Sequence, residues 1–405
     1  MPKNKMTIGK KITNPIACFL AVTALTFTSV SAADLIKVGV ILPLSGKMAK
    51  FGEIENKSYL MAVDEINAAG GINGKKIELI IEDTSGKSDV GRSAIEKLIT
   101  RDKVIVGGGG CSSTVTWAAI AVAQQNKVPF LVNTGSADRI TEQGWEYIFR
   151  LNPPVSEYSG AFKSFTREVA SDIKTVVILH MNSVFGAYEA DKIIRQAEDL
   201  GLQIILKQNF ESNANDFKPL IMKVKASEPD LVYLIANTID ASLLMRQCQE
   251  LNLNPKLFVG GAVGFTLPEF QKTAGKASEY VYSTTLWIPS APYPDAQKYH
   301  DTFAARYGIV ADYHGAQAYA AMYVIADALR RTKTLTPEGV RNALAETDMM
   351  TVLGPVKFVS YGKKAQQNKL PTLLVQWING ELKTVWPKKI ATQKYIYPTP
   401  KWAER

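Results

Sequence analysis

The sequence predicts an α/β fold of two lobes, each built around a mainly parallel sheet. Three observations carry this prediction. Short apolar runs alternate with amphipathic segments in two successive β-α-β-α blocks, one over 36–132 and one over 175–259. The connections are those of parallel strands with helices on both sheet faces. At 405 residues, with 46% hydrophobic and 21% charged side chains, the chain has the length and composition of two globular domains.

The elements follow in order. Residues 1–33 read as a secretory signal: Lys3, Lys5, Lys10 and Lys11, then the apolar IACFLAVTALTFTSV, then small residues for cleavage after Ala32 or Ala33. The apolar run is shorter than the roughly 20 residues of a spanning helix. Cys18 lies at the start of that run and not after it, so it is not expected to be a lipid-attachment cysteine. The first block then predicts strand 36–42, helix 53–69, strand 76–82, helix 89–100, strand 104–106, helix 114–125 and strand 128–132. The second predicts strand 175–180, helix 189–200, strand 204–209, helix 217–227, strand 231–235, helix 240–251 and strand 257–259. A strand (279–286), three helices (295–307, 316–330, 337–346) and a strand pair around ING follow. Residues 391–405 read as an extended tail.

Four of the 47 basic residues fall in the signal, so 43 basic and 38 acidic side chains remain, net +5. No polybasic run marks a nucleic-acid site, and none is expected. Cys111 and Cys248 are expected to be free thiols.

Two stretches mark a ligand site. GGGGCSST, residues 107–114, runs from a strand into a helix. The free N–H groups and dipole of a helix start favour an anion, and Ser112 and Ser113 can donate to it. The alternative is that one of these serines only caps the helix. The next strand ends in LVNTGS, where Thr134, Gly135 and Ser136 add a second cluster of neutral donors. In open parallel sheets, ligands bind beyond the carboxyl ends of the strands. A carboxylate could sit between these clusters, held by dipoles alone.

The chain resembles the periplasmic ligand-binding proteins of branched-chain amino-acid (Leu/Ile/Val-type) ABC transporters, the type I periplasmic binding proteins. The matching stretches are KVGVILPLSGKMAKFG, AVDEINAAGGINGKKIELIIEDTSG, VIVGGGGCSSTV, VPFLVNTGSADRIT, VFGAYEADKI, DFKPLIMKVKASEPDLVYL and TVLGPVKF, in family order over nearly all the mature chain. The resemblance implies two Rossmann-like lobes joined by three crossovers, near Asn152, Thr284 and Lys357. Lobe 1 would be 34–152 plus 285–356, and lobe 2 would be 153–284 plus 357–390. It implies a monomeric carrier that closes on its ligand and docks on an inner-membrane permease with its ATPases. It implies no cofactor.

By position, the resemblance places Ser112, Thr134, Gly135 and Ser136 on the ligand's polar end and Phe51 and Phe185 on its body. Tyr158 would fit beside them, and His314 falls where the family has a cleft-facing side chain. A surface or helix-cap role for His314 is the alternative. Three departures stand out. The family's acid for the ligand ammonium falls at Ala262, a second aromatic falls at Asn237, and Cys111 has no disulfide partner. A buried ammonium without an acid would lose several kcal/mol of pairing. The expected ligand is therefore an aromatic or aliphatic carboxylate without an α-amine. The alternatives are an amino acid served by Glu157 or Asp240, or an amide or urea-type ligand.

An enzyme is not expected. There is no G-x-S-x-G, and neither Cys111 nor Ser112 has an evident base among the three histidines. His180, His300 and His314 show no metal-ligand spacing. A sensor that presents its bound state to a receptor is the alternative class.

Overall fold

The computed structural model describes residues 35–405, apart from Lys47, Ser159, Asn213 and Ala262 and the side chains of Val184, Phe185 and Val263. The expected signal, Cys18, Ala262 and the Phe185 side chain lie outside the described residues.

The chain opens with β1 (Leu35–Leu42), α1 (Ala49–Ala68), β2 (Lys76–Asp83), α2 (Ser88–Thr100), β3 (Val106–Gly109), α3 (Ser113–Gln125), β4 (Phe130–Val132) and β5 (Ile148–Arg150). It then runs through α4 (Gly160–Glu168), β6 (Thr175–Met181), α5 (Val184–Asp199), β7 (Gln203–Phe210), α6 (Lys218–Ala226), β8 (Leu231–Ile235), α7 (Thr238–Glu250), β9 (Leu257–Gly261), α8 (Pro268–Ala274) and β10 (Tyr282–Thr285). Three helices follow, α9 (Ala296–Tyr307), α10 (Tyr313–Arg331) and α11 (Pro337–Ala345). The last strands are β11 (Asp348–Thr351), β12 (Gly354–Tyr361), β13 (Lys364–Asn368), β14 (Leu373–Ile378) and β15 (Glu381–Trp386).

These strands form two sheets, in the orders β11-β12-β13-β5-β4-β3-β1-β2 and β15-β14-β10-β9-β8-β6-β7. The pairs β1–β2, β1–β3, β3–β4 and β4–β5 are parallel, as are β6–β7, β6–β8 and β8–β9. Strands buried on both faces need continuous apolar runs. Val38, Val40 and Leu42 in β1, and Val232 and Leu234 in β8, are completely buried. Each such side chain contributes about 1.5–3 kcal/mol by leaving water. Helix α10 returns to the first sheet and packs along α1, its Ala316, Ala320, Val324 and Leu329 joining the core of Val38 and Val40.

The structure departs from expectation in three places. The glycine run is itself a strand. Strand β3 comprises Val106 to Gly109, not residues 104–106, and only Gly110 lies in the turn. A Cβ on Gly107 would stand 2.6 Å from the Phe130 ring, so these glycines serve close sheet packing before any ligand. Second, Lys357 does not start the second lobe. It lies inside β12, opposite Asp348 of β11, and β13 pairs with β5. Gln367 and Asn368 fasten that strand by donating to the Asn152 and Leu151 carbonyls at 2.8 and 3.0 Å. The third crossing therefore falls between Asn368 and Leu373. Third, the tail is docked along the second sheet. Gln376 Oε1 accepts from the Ile396 amide at 2.9 Å, and Trp402 is buried with its indole N–H on the Leu253 carbonyl at 2.6 Å.

Among the described residues, no helix is long and apolar enough to cross a membrane.

Candidate ligand-binding site

The carboxyl ends of β3 and β4 carry both hydroxyl clusters. Ser112 occupies the N-cap position of α3 in extended backbone, yet its side chain makes no capping bond. Among the described residues its hydroxyl has no hydrogen-bond partner. The first N–H groups of this 13-residue helix are thus not covered by a side chain.

Ser113 has a different task. Its Oγ accepts from the backbone N–H groups of Ser136 and Ala137, both at 3.0 Å. The Gly135 amide donates to the Gly110 carbonyl at 2.6 Å. These bonds clamp the loop after β4 against the start of α3. They also use up backbone donors that the sequence assigns to a ligand. Arg150 anchors the same loop from below. It is wholly buried and donates to the Ala137 carbonyl at 2.7 Å, to Gln367 Oε1 at 2.5 Å and to Thr141 Oγ1 at 3.0 Å. Burial holds this guanidinium down to about 10.

Glu55 on α1 is fully buried beneath the cluster. Its carboxylate accepts from Thr134 Oγ1 and Asn133 Nδ2, each at 3.0 Å. The Thr134 hydroxyl proton is therefore committed inward. Burial pushes the Glu55 carboxyl up, against the pull of His314 and of its hydrogen-bond donors, Asn133, Thr134 and the Cys111 thiol. Cys111 is itself raised by burial and by Glu55, and both Cys111 and Cys248 are free, buried thiols as expected.

His314 lies in the first turn of α10, buried, and the N-cap residue Asp312 accepts from its backbone N–H. Its Nδ1 stands 3.0 Å from Asp312 Oδ2. Burial works to lower the His314 value, but the charges of Asp312 and Glu55 outweigh it and hold His314 above its ordinary 6.5. The Phe51 ring lies 4.6 Å from the His314 ring, and the Tyr313 ring stacks on it at 4.1 Å. Phe51, His314 and Tyr313 thus form an aromatic wall beside the hydroxyl cluster. Tyr158, after the first crossing, accepts from Asn152 Nδ2 at 3.3 Å, and Asn152 also donates to the Thr134 carbonyl at 2.8 Å. Burial pushes the Tyr313 hydroxyl up, and Tyr158, Asp312, Cys111 and Glu189 act in the same direction.

From the second sheet, α5 presents Glu189 and Lys192, both buried and 3.4 Å apart. Lys192 Nζ lies 5.3 Å above the Tyr158 ring. Burial holds this ammonium below its usual range despite Glu189. Asn237 is the N-cap of α7: its side chain accepts from the Asp240 amide at 2.9 Å and donates to Asp240 Oδ2 at 2.8 Å. That side chain and Asp240 satisfy each other. Glu157 accepts from the Tyr361 hydroxyl at 2.7 Å. Both acids named as alternatives for a ligand amine are engaged elsewhere. An apolar cavity of about 300 Å³ has Asp312 and Tyr313 in its wall, with Leu267, Trp287, Ile288 and Val310.

The sequence reading missed Glu55, Arg150, Glu189 and Lys192. Glu55 had a signal: it shares the inward face of α1 with Ile54, Ser58, Tyr59 and Ala62. Glu189 and Lys192 likewise flank the inward Ala190 and Ile193.

Two mainly parallel sheets with polar clusters at their carboxyl ends, and Lys192 of α5 set over the Tyr158 ring, suit a ligand-binding protein of the two-lobed type. The chain belongs to the periplasmic binding protein family, whose model matches residues 35–381. It is 27% identical over 398 residues to the Leu/Ile/Val-binding protein homolog 7 of Brucella suis, covering 94% of this chain and 98% of that one. Among solved structures it is similar to the branched-chain amino acid transporter substrate-binding protein LivJ of Streptococcus pneumoniae in complex with isoleucine. That likeness has 25% identity and a TM-score of 0.70, over 86% of this chain and 97% of the other. It shares its fold with a solute-binding protein of Rhodopseudomonas palustris in complex with 3,4-dihydroxybenzoic acid, at 20% identity and a TM-score of 0.71, over 92% and 100% of the two chains.

Proposed function

We propose that this chain is the exported binding component of an ABC importer and closes on a small carboxylate, an aromatic or aliphatic acid without an α-amine. One observation carries the reading: α3 begins with Ser112 uncommitted and its first N–H groups uncapped by a side chain. An anion is the natural partner of such a start. The rings of Phe51, His314 and Tyr313 offer the ligand's body an aromatic surface. The acids named near the site each hold a neighbour, Glu157 by Tyr361, Asp240 by Asn237 and Glu189 by Lys192, which supports a ligand without an amine. Relatives of this fold were solved with isoleucine and with a dihydroxybenzoic acid, so both an amino acid and an aromatic acid belong in the test.

The geometry supports this role. Ser112 and the α3 dipole hold the acid group by hydrogen bonds that water can replace, which permits release. Closure of the two lobes buries the ligand and presents one joined surface to a permease. Ser113 and Arg150 are positioning residues, since both act through the loop after β4.

Thermal unfolding of the purified, ligand-stripped protein tests this. Leucine, 4-hydroxybenzoate and a short aliphatic acid are added separately. A ligand at 100 times its dissociation constant stabilises the native state by about 2.7 kcal/mol. The reading expects a shift with an acid and none with leucine, and a weaker one in Ser112→Ala. A shift with leucine alone would reassign the ligand to the amino acids.

A further inference from the structure

Helix α5 turns two charged side chains inward. Glu189 and Lys192 lie one turn apart and expose only 9% and 8% of their side chains. A pair on an open helix face would cost nothing to leave in water, whereas a buried pair needs compensating partners. Lys192 lacks them. An ammonium carries three N–H donors. Among the described residues its one hydrogen-bond acceptor is Glu189 Oε2, at a long 3.4 Å. The face of the Tyr158 ring lies 5.3 Å away, and the charge of Asp138 also bears on it. Tyr158 in turn accepts from Asn152 Nδ2 at 3.3 Å, and Asn152 donates to the Thr134 carbonyl at 2.8 Å. The under-filled ammonium therefore stands one aromatic ring and one amide from the first-sheet cluster.

We infer that Lys192 is the second half of the anion site, meeting the ligand's acid group from α5 while Ser112 and the start of α3 hold it from the first sheet. This rests on the reading of the chain as a carboxylate carrier and narrows it. Glu189 balances the charge of Lys192, so the pair is neutral overall, and Lys192 meets an acid group through the N–H donors that Glu189 leaves unfilled. A ligand ammonium there would be repelled by Lys192 and attracted by Glu189, so leucine reports which of the two faces the ligand. The unfilled donors of Lys192 favour an acid group over a neutral amide.

Calorimetric titration of the full protein tests the assignment, with benzoate, 4-hydroxybenzoate, pentanoate, leucine and benzamide as probes. Benzamide is the neutral counterpart of benzoate. Lys192→Met keeps the stem and removes the charge; Lys192→Met/Glu189→Gln also spares the fold a stranded carboxylate. The wild type should bind an acid and not benzamide. Both methionine variants should lose at least about tenfold in affinity for that acid. Lys192→Arg should retain most of it. Glu189→Gln, which releases Lys192 from its competitor, should tighten binding, a direction that a merely structural role would not give. An acid bound as well by the double variant as by the wild type would overturn the assignment and leave the carrier reading standing. So would a loss in Lys192→Arg as large as in Lys192→Met, or leucine binding that depends on Glu189 and not on Lys192. A wild type that takes up none of the acids and not leucine would overturn the carboxylate reading itself, and this assignment with it.

Discussion

At the scale of single residues, the candidate site is a set of serines with different tasks. Ser112, Ser113 and Ser136 look alike in sequence, but Ser113 accepts from two loop amides while the Ser112 side chain makes no capping bond. Local spacing identified all three. It could not divide their labour, because the partners of Ser113 and Thr134 lie 23 and 79 residues away in the chain. The buried trio of Glu55, His314 and Asp312 makes a pH prediction. His314 is held above its ordinary 6.5, so its contribution to stability is full below that value and is lost as pH rises through the folded value. Glu55, raised from 4.5 by burial, acts in the same direction. Asp312 is lowered from 3.8, so its contribution is present above that value and lost only in acid. The trio should therefore favour the native state most between these limits and less as pH climbs past neutrality. Unfolding midpoints at pH 6 and 8 should show a fall that is smaller in His314→Gln. An equal fall in both proteins would remove His314 from the account.

At the scale of elements, most strands and helices were legible. β1, β8 and α2 fall within a residue or two of their sequence bounds, since buried parallel strands and amphipathic helices leave plain periodicities. β3 was not, because glycine has no strand propensity and no apolar pattern. The glycines are there for their neighbours. Gly107→Ala would press a methyl into Phe130, and a destabilisation of about 1–3 kcal/mol is expected in denaturant unfolding. A neutral result would mean that Phe130 can move aside and that the run is free to serve the ligand. β5, β12 and β13 were also missed. β13, KAQQN, is polar and is held by Arg150, Gln367 and Asn368 side chains rather than by an apolar face. Only tertiary partners make such a segment a strand. The charged inward turn of α5 escaped for a related reason, since a Glu–Lys pair at helical spacing ordinarily marks a solvated face.

At the scale of the whole molecule, the two-sheet architecture was visible in the order of elements, while the third crossing and the docked tail were not. Both depend on polar contacts between distant segments, as in the Gln376–Ile396 and Gln367–Asn152 bonds. The chain passes between its sheets three times, after β5, after β10 and after β13, which suits a hinge. Small-angle X-ray scattering of the purified protein, with and without a saturating amount of the acid that stabilises it best, tests the central claim most directly. The account predicts a smaller radius of gyration on binding, from lobes closing over the acid held by Ser112. An unchanged radius at full occupancy, or contraction with leucine and with no acid, would contradict it.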